Sequence, residues 1–369
     1  MAWNDKLVSV IILTYKSFEM LPRALNSVFV QDYPHIEIII SDDGSDEFDE
    51  NAIREYIEDY KTENIESYKI VHSAENTGTV QNVRRALEVM TGDYYLNFGS
   101  DDALYDNTVI SDYIRTLALR NFKPLLVSGC TAMYSNDELT KYYGTIPSRN
   151  DVEILIKEDP AETLNALASR CAIATVSTCY SKDFPKAVDA YDTIYKYYED
   201  YPTFLRMARK GYTPVFVDRI MTKHAGGGIA NGSKNKEMAF RFYQDRKLMW
   251  ETEFEPYRDM FSKNSQKANK KRRKLERNIY KRSSGAVSFK EKVEAIKAAM
   301  KDFFRKRSKK VSHYFQMGAL SGIVAILAML SKVSVPIFKL CLVVVPAISS
   351  IAFFSLVIIL LLCNLCGRK

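Results

Sequence analysis

The chain has 369 residues, of which 47% are apolar, 12% aromatic and 26% charged, with a formal net charge of +7. This composition excludes disorder along the whole length, a collagen-like repeat and a disulfide-stapled miniprotein, and it supplies apolar material for one large core or two smaller ones. The charge is unevenly spread: residues 1–262 carry 29 basic and 41 acidic residues, a net of −12, whereas residues 263–310 carry 19 and 4, a net of +15.

The first 120 residues alternate strand and helix signals as βαβ units do. Leu7–Leu13 reads as a buried strand, and Leu21, Leu25 and Val28 recur at helical spacing behind Pro22. Ile36–Ile40 is a β-branched strand; Phe48, Ile53, Tyr56, Ile57 and Tyr60 outline a second helix. A short strand at Tyr68–Val71, a helix at Val80–Met90, a strand at Asp93–Phe98 and a helix over 108–120 follow. The pattern predicts an α/β fold, a doubly wound and mostly parallel sheet with helices on both faces. Residues 121–235 are less regular, with strands expected at Leu125–Ser128, Ile173–Tyr180 and Val215–Val217 and a helix over Thr203–Lys210. HAGGGIANGS (224–233) reads as a loop.

From Lys236 the pattern turns helical, and after 262 basic. Phe289, Val293, Ile296, Met300 and Phe303 form one helical stripe ringed by Lys and Arg, as expected of a helix lying on an anionic leaflet. The KKRRK run (270–274) fits a nuclear-import or nucleic-acid patch less well, because no aromatic-studded nucleic-acid module accompanies it. Leu340–Cys363 is 24 residues without a formal charge. As a helix it extends about 36 Å, enough to cross a hydrocarbon core of about 30 Å. The shorter apolar run Gly318–Ser331 leaves the number of crossings open. Three regions are therefore expected: a domain over 1–235, a basic helical membrane-surface region over 236–317, and a membrane segment over 318–369. Lys and Arg massed before the tail favour the cytoplasmic side for the body, and no secretory leader is expected at the N-terminus. The six cysteines are irregularly spaced, as reduced thiols are.

In a doubly wound sheet, ligands gather at the carboxyl ends of the strands. Polar clusters fall at three such ends: Thr14-Tyr15, Ser41-Asp42-Asp43-Gly44-Ser45 and Gly99-Ser100-Asp101-Asp102. A fourth acidic pair, Glu199-Asp200, precedes the Thr203–Lys210 helix. Taken singly, each is explained as a turn, a helix cap or a complement to a helix dipole. Taken together, carboxylates on one edge repel unless a cation such as Mg²⁺ or Mn²⁺ neutralises them. His224, opening the glycine-rich loop, is a candidate phosphate or metal contact or an ordinary loop histidine; His35, His72 and His313 read as structural or surface. Neither GxGxxG nor a Walker A sequence is present, so dinucleotide and P-loop readings fail.

The ordered set VSVIILTY (8–15), ISDDGSD (40–46), NTG (76–78), TGDYYLNFGSDD (91–102) and YYEDYPTFLRMARKGY (197–212) resembles family-2 glycosyltransferases of GT-A fold, over about residues 7–235. The resemblance implies an inverting transfer of a sugar from a nucleotide donor, UDP- or dTDP-linked, to a saccharide hydroxyl, with Mg²⁺ or Mn²⁺. It places Tyr15 near the donor base, Asp43 on that base, and Asp101 and Asp102 on the ribose and the metal; His224 is added as a metal candidate from the loop reading above, not from the resemblance. Asp200 becomes the base, with Glu199 beside it. Leu13 and Lys16 depart from the family's common Pro and Asn, and Gly99 stands where an Asp often opens the acidic motif. Together with the tail, these features predict a membrane-anchored transferase that extends a lipid-linked saccharide in cell-surface polysaccharide synthesis. It binds no nucleic acid, and oligomerisation stays open. The rival readings are transfer to polyprenyl phosphate, a sugar-phosphate nucleotidyltransferase lacking its glycine-rich loop, and an anchored nucleotide-binding protein without catalysis.

Overall fold

The computed structural model describes residues 3–226 and 236–283. In chain order the first half comprises β1 (Val8–Thr14), α1 (Leu21–Phe29), β2 (Ile36–Asp42), α2 (Glu50–Tyr60), β3 (Ile65–His72), α3 (Thr79–Val89), β4 (Tyr94–Gly99), β5 (Ala103–Leu104) and α4 (Val109–Leu119). Local chemistry sets these boundaries. Pro22 lies in the first turn of α1, where its missing N–H costs nothing. The Asp49 side chain caps α2 by accepting from the Ala52 N–H at 3.0 Å. Alternate residues of the strands feed opposite layers. Val10, Ile12, Ile38 and Ile40 pack with Leu25, Ile57, Ile110 and Tyr113, while Ile11 and Ile39 face Val80, Val83 and Phe204. The sheet is thus covered on both sides, as expected.

The second half contains β6 (Leu126–Tyr134), β7 (Tyr142–Ile146), α5 (Arg149–Leu155), α6 (Pro160–Ala166), β8 (Thr178–Ser181), α7 (Phe184–Val188), α8 (Tyr201–Arg209) and β9 (Val215–Ala225). All nine strands join one sheet of order β3-β2-β1-β4-β8-β6-β9-β5, with β7 on β6. The expectation of a mostly parallel sheet needs correction. Four ladders are parallel (β1–β2, β1–β4, β2–β3, β6–β9) and four antiparallel (β4–β8, β6–β8, β6–β7, β5–β9), which makes a mixed sheet. The parallel half is built from full helical crossovers; after residue 120 the connections include the short 135–141 turn, which permits antiparallel return. The strand expected at Ile173–Tyr180 is in fact a 3₁₀ turn at Thr175–Ser177 followed by the short β8.

Two further helices, α9 (Lys236–Met249) and α10 (Lys263–Ser283), follow. Met249, Trp250, Phe254 and Phe261 are buried in the same core cluster as Tyr201 and Phe204. The first compact unit accordingly runs Met1–Ser284, so the boundary expected at 235/236 does not separate compact units. The second unit, Gly285–Lys369, lies outside the described residues, as do the amphipathic stripe and the apolar tail. Among the described residues no helix is long and apolar enough to cross a membrane.

Candidate active site

The parallel strands β2, β1 and β4 end together. Thr14 stands opposite Asp42 and Leu13 opposite Gly99. Strand order runs β3-β2-β1 and then continues from β1 to β4, so the order reverses beside β1, where such sheets open a crevice. The loop after β1 ties the two neighbouring loops to itself. The Asp43 N–H donates to the Thr14 carbonyl at 3.1 Å, the Lys16 N–H to Ser45 Oγ at 2.8 Å, and the Ser17 and Ser100 hydroxyls lie 2.6 Å apart. Tyr15 stays 37% exposed with the Lys16 ammonium 5.5 Å from its ring centroid, leaving a ring for stacking.

Asp43 is buried and heavily bonded. Its Oδ1 accepts from the Thr77 N–H (3.0 Å), the Thr77 hydroxyl (2.6 Å) and the Arg85 guanidinium (2.9 Å), and its Oδ2 from the Gly78 N–H at 2.7 Å. The carboxylate therefore holds the NTG turn at the start of α3. Gly78 there has φ +94°, and a Cβ would sit 2.4 Å from the Lys196 carbonyl oxygen, so only glycine fits. Neighbouring Asp42 accepts from the Ser45 N–H and hydroxyl and pairs with His72 Nδ1 at 2.8 Å, while the His72 ring stacks on Phe48 at 4.2 Å.

Asp101 and Asp102 lie where the resemblance placed an acidic motif. Asp102 is 1% exposed; its Oδ1 meets His224 Nδ1 at 2.7 Å and the Ala225 N–H at 3.2 Å, and its Oδ2 accepts from the Gly99 N–H at 3.3 Å. Burial, with the Asp102 charge adding to it, pushes the Asp101 carboxyl up to about 6. Burial alone would lower His224, but the Asp102 and Asp101 charges overcome it and raise the imidazole to about 9. The departure at Gly99 has a steric reason: a Cβ there would lie 2.4 Å from Asp101 Oδ1, so the Asp101 carboxyl occupies the space an Asp at 99 would need. Two crowded carboxylates, one with raised proton affinity, are a donor set that suits a hard divalent cation. His224 and Asp102 meet each other rather than a common point, and among the described residues no group of three His, Cys, Asp or Glu is arranged to hold a metal ion.

Glu199 and Asp200 open α8. Burial followed by the Asp200 charge pushes Glu199 up to about 8, and burial raises Asp200 above the usual carboxylate range. The Tyr201 N–H donates to Asp200 Oδ1 at 2.6 Å and the Cys171 thiol lies 3.8 Å from Oδ2; both favour the anion on Asp200. Of the two, Glu199 therefore holds its proton near neutral pH, while the Tyr201 N–H and the Cys171 thiol favour charge on Asp200. The loop leading to this pair touches the Asp43 side through Lys196, whose carbonyl accepts from the Val80 N–H at 3.2 Å and whose ammonium donates to the Asn76 carbonyl at 3.2 Å. It is fastened from behind. Asp245 of α9 accepts the Lys196 and Tyr197 N–H groups at 2.8 and 2.6 Å. Glu253, 2% exposed, accepts from Arg206 Nε at 2.7 Å and from Arg209 at 2.6 Å.

The structure therefore brings Tyr15, Asp43, Asp101, Asp102 and His224 to one sheet edge and links Asp43 to the Glu199-Asp200 loop through the NTG turn. Sequence reasoning missed Arg85, Cys171 and Asp245, which act across long separations, whereas His72 has the structural place expected of it, on Asp42 and Phe48; only the NTG run marked its own importance. Residues 227–233 of the glycine-rich loop lie outside the described residues.

Residues 9–141 match the family described as Glycosyl transferase family 2. Over 141 residues, 38% of this chain and 38% of the relative's length, the sequence is 30% identical to the uncharacterized glycosyltransferase YibD of Escherichia coli (strain K12). Among solved structures the chain is similar to the mannosyltransferase PcManGT of Pyrobaculum calidifontis in complex with GDP-Man and Mn²⁺. That likeness has a TM-score of 0.51 and 14% identity, covering 82% of this chain and 81% of that one. It is also similar to S. aureus TarS 1-349 in complex with UDP-GlcNAc, with a TM-score of 0.46 and 18% identity over 66% and 65% of the two chains. Residues 9–141, about a third of the chain, thus form a domain similar to glycosyl transferase family 2, set in a GT-A-like mixed sheet.

Proposed function

With that domain as premise, we propose that the chain is an inverting glycosyltransferase, moving a sugar from a UDP- or dTDP-linked donor to a hydroxyl of a saccharide acceptor. The observation that carries this reading is the Glu199-Asp200 pair, in which burial raises both proton affinities while the Tyr201 N–H directs the remaining charge to Asp200. A carboxylate of raised basicity, partly exposed at a helix start, is suited to take the proton of an attacking hydroxyl. One base then suffices, since inversion needs a single displacement without a covalent enzyme intermediate.

On the donor side, Tyr15 offers an exposed ring to the base, and Asp43 Oδ2, holding one donor where Oδ1 holds three, keeps an acceptor position for an N–H of that base. Asp101 and Asp102 would hold Mg²⁺ or Mn²⁺, with His224, protonated at neutral pH, as their cationic neighbour. When bound, such an ion neutralises the departing diphosphate. Lipid linkage of the acceptor, a role in cell-surface polysaccharide synthesis and a cytoplasmic position of the domain on a membrane extend the proposal. They are supported by the +15 stretch at 263–310 and the uncharged 24 residues Leu340–Cys363.

The test is a panel of nucleotide sugars scored for hydrolysis and transfer with and without Mn²⁺. One donor should be consumed in a metal-dependent way, with Asp102→Ala weakening both binding and turnover. No consumption of any donor would turn the reading toward a binder without catalysis.

A further inference from the structure

Away from the sheet edge, α9, α10 and the turns between them enclose a cleft of about 420 Å³. Seven Lys and Arg side chains line it against two carboxylates, Glu251 and Glu276. Four of the cations are already matched: Lys247 to Glu251 at 3.5 Å, Arg246 to Glu276 at 3.3 Å, and Arg258 and Arg273 to Glu255. The other three, Lys270, Lys274 and Arg277, are exposed and have no carboxylate partner among the described residues. They recur at i, i+4 and i+7, so they stack along one stripe of α10, where like charges repel. The first 262 residues are net negative, so these three cations belong to the basic stretch that begins at 263, and the cleft is where that stretch meets α9.

We infer that this cleft binds a phosphoryl group, taking up its two or more negative charges between Lys270, Lys274 and Arg277. A phosphoryl group concentrates that charge on closely spaced oxygens, which fit the guanidinium fork and two mobile ammonium groups better than a single carboxylate does. The group belongs either to a lipid headgroup or to a soluble phosphorylated molecule. Trp250 also lines the cleft, with its indole N–H on Glu276 at 3.1 Å, and so reports on it.

The chain has two tryptophans, so Trp3→Phe leaves Trp250 as the sole indole, read by excitation at the red edge where tyrosine does not absorb. The full-length Trp3→Phe protein in detergent, without divalent metal or donor, is titrated with inorganic pyrophosphate at ionic strength held by NaCl. Parallel arms use vesicles of phosphatidylglycerol and of phosphatidylcholine. A saturable change in Trp250 emission is expected, with affinity at least tenfold weaker in the Lys270→Gln/Lys274→Gln/Arg277→Gln variant, whose far-UV circular dichroism should be unchanged. A response to phosphatidylglycerol but not phosphatidylcholine vesicles that competes with pyrophosphate identifies a lipid headgroup; a response to pyrophosphate alone identifies a soluble ligand. Equal affinity in the triple variant, the same change with NaCl alone, or no response in any arm overturns the inference. The measurement involves no sugar transfer, so its failure leaves the catalytic reading standing.

Discussion

Asp43 and Asp200 flank the same loop yet are treated in opposite ways by the fold. Asp43 collects four donors, including a guanidinium, and its bonds shape the NTG turn. Asp200 has one backbone donor and a distant thiol, and its proton affinity is raised by burial. The donor side is thus organised by a satisfied charge, and the proposed acceptor side by an under-satisfied one. A carboxylate that stabilises the fold makes a poor base, and a good base is a cost to the fold.

This contrast is sharpened most by Asp200→Asn, which should lower turnover by about 10²–10⁴-fold with nucleotide affinity kept and thermal stability equal or higher, read by kinetics, titration and melting. Unchanged turnover would remove Asp200 from the base role. Asp43→Ala should behave in reverse, destabilising the protein by about 3 kcal/mol in denaturant melts because Arg85 and two N–H groups lose their acceptor. The pH profile should carry the same mark. Asp200 must be unprotonated to act, so activity is full above its raised value and falls as pH drops through it, with the acid limb lying above the ordinary 3.8. An acid limb at 3.8 or below would break the contrast. Gly99→Ala, which presses on Asp101 Oδ1, should cost up to about tenfold in activity, since one side chain must leave its rotamer. Smallest of all, Glu199→Gln mimics the protonated form held near neutral pH and should stay within about threefold of the parent at pH 7.

The sequence made the region from β1 to α4 readable because Val8–Thr14, Ile36–Asp42 and Tyr94–Gly99 are buried on both faces and joined by amphipathic helices of nine to eleven residues. The later region resisted. β7 is exposed or half-buried along its whole length, so Tyr142–Ile146 shows no apolar alternation, and α7 has five residues, too few for a helical period. Side-chain roles divide the same way. The acidic motifs were visible as motifs, and the resemblance named their parts. What satisfies them was not visible, because Arg85 reaches Asp43 across 42 positions and His224 reaches Asp102 across 122. Gly99 looked like a defect in one dimension and is an accommodation in three.

The clasp that Asp245 and Glu253 place on the 191–198 loop and α8 originates outside the 9–141 stretch shared with the family. On the proposed reading, the posture of the base is therefore set by a part of the gene that trails the matched stretch. Exchanging those trailing helices between relatives becomes a natural handle for retuning the proposed acceptor side.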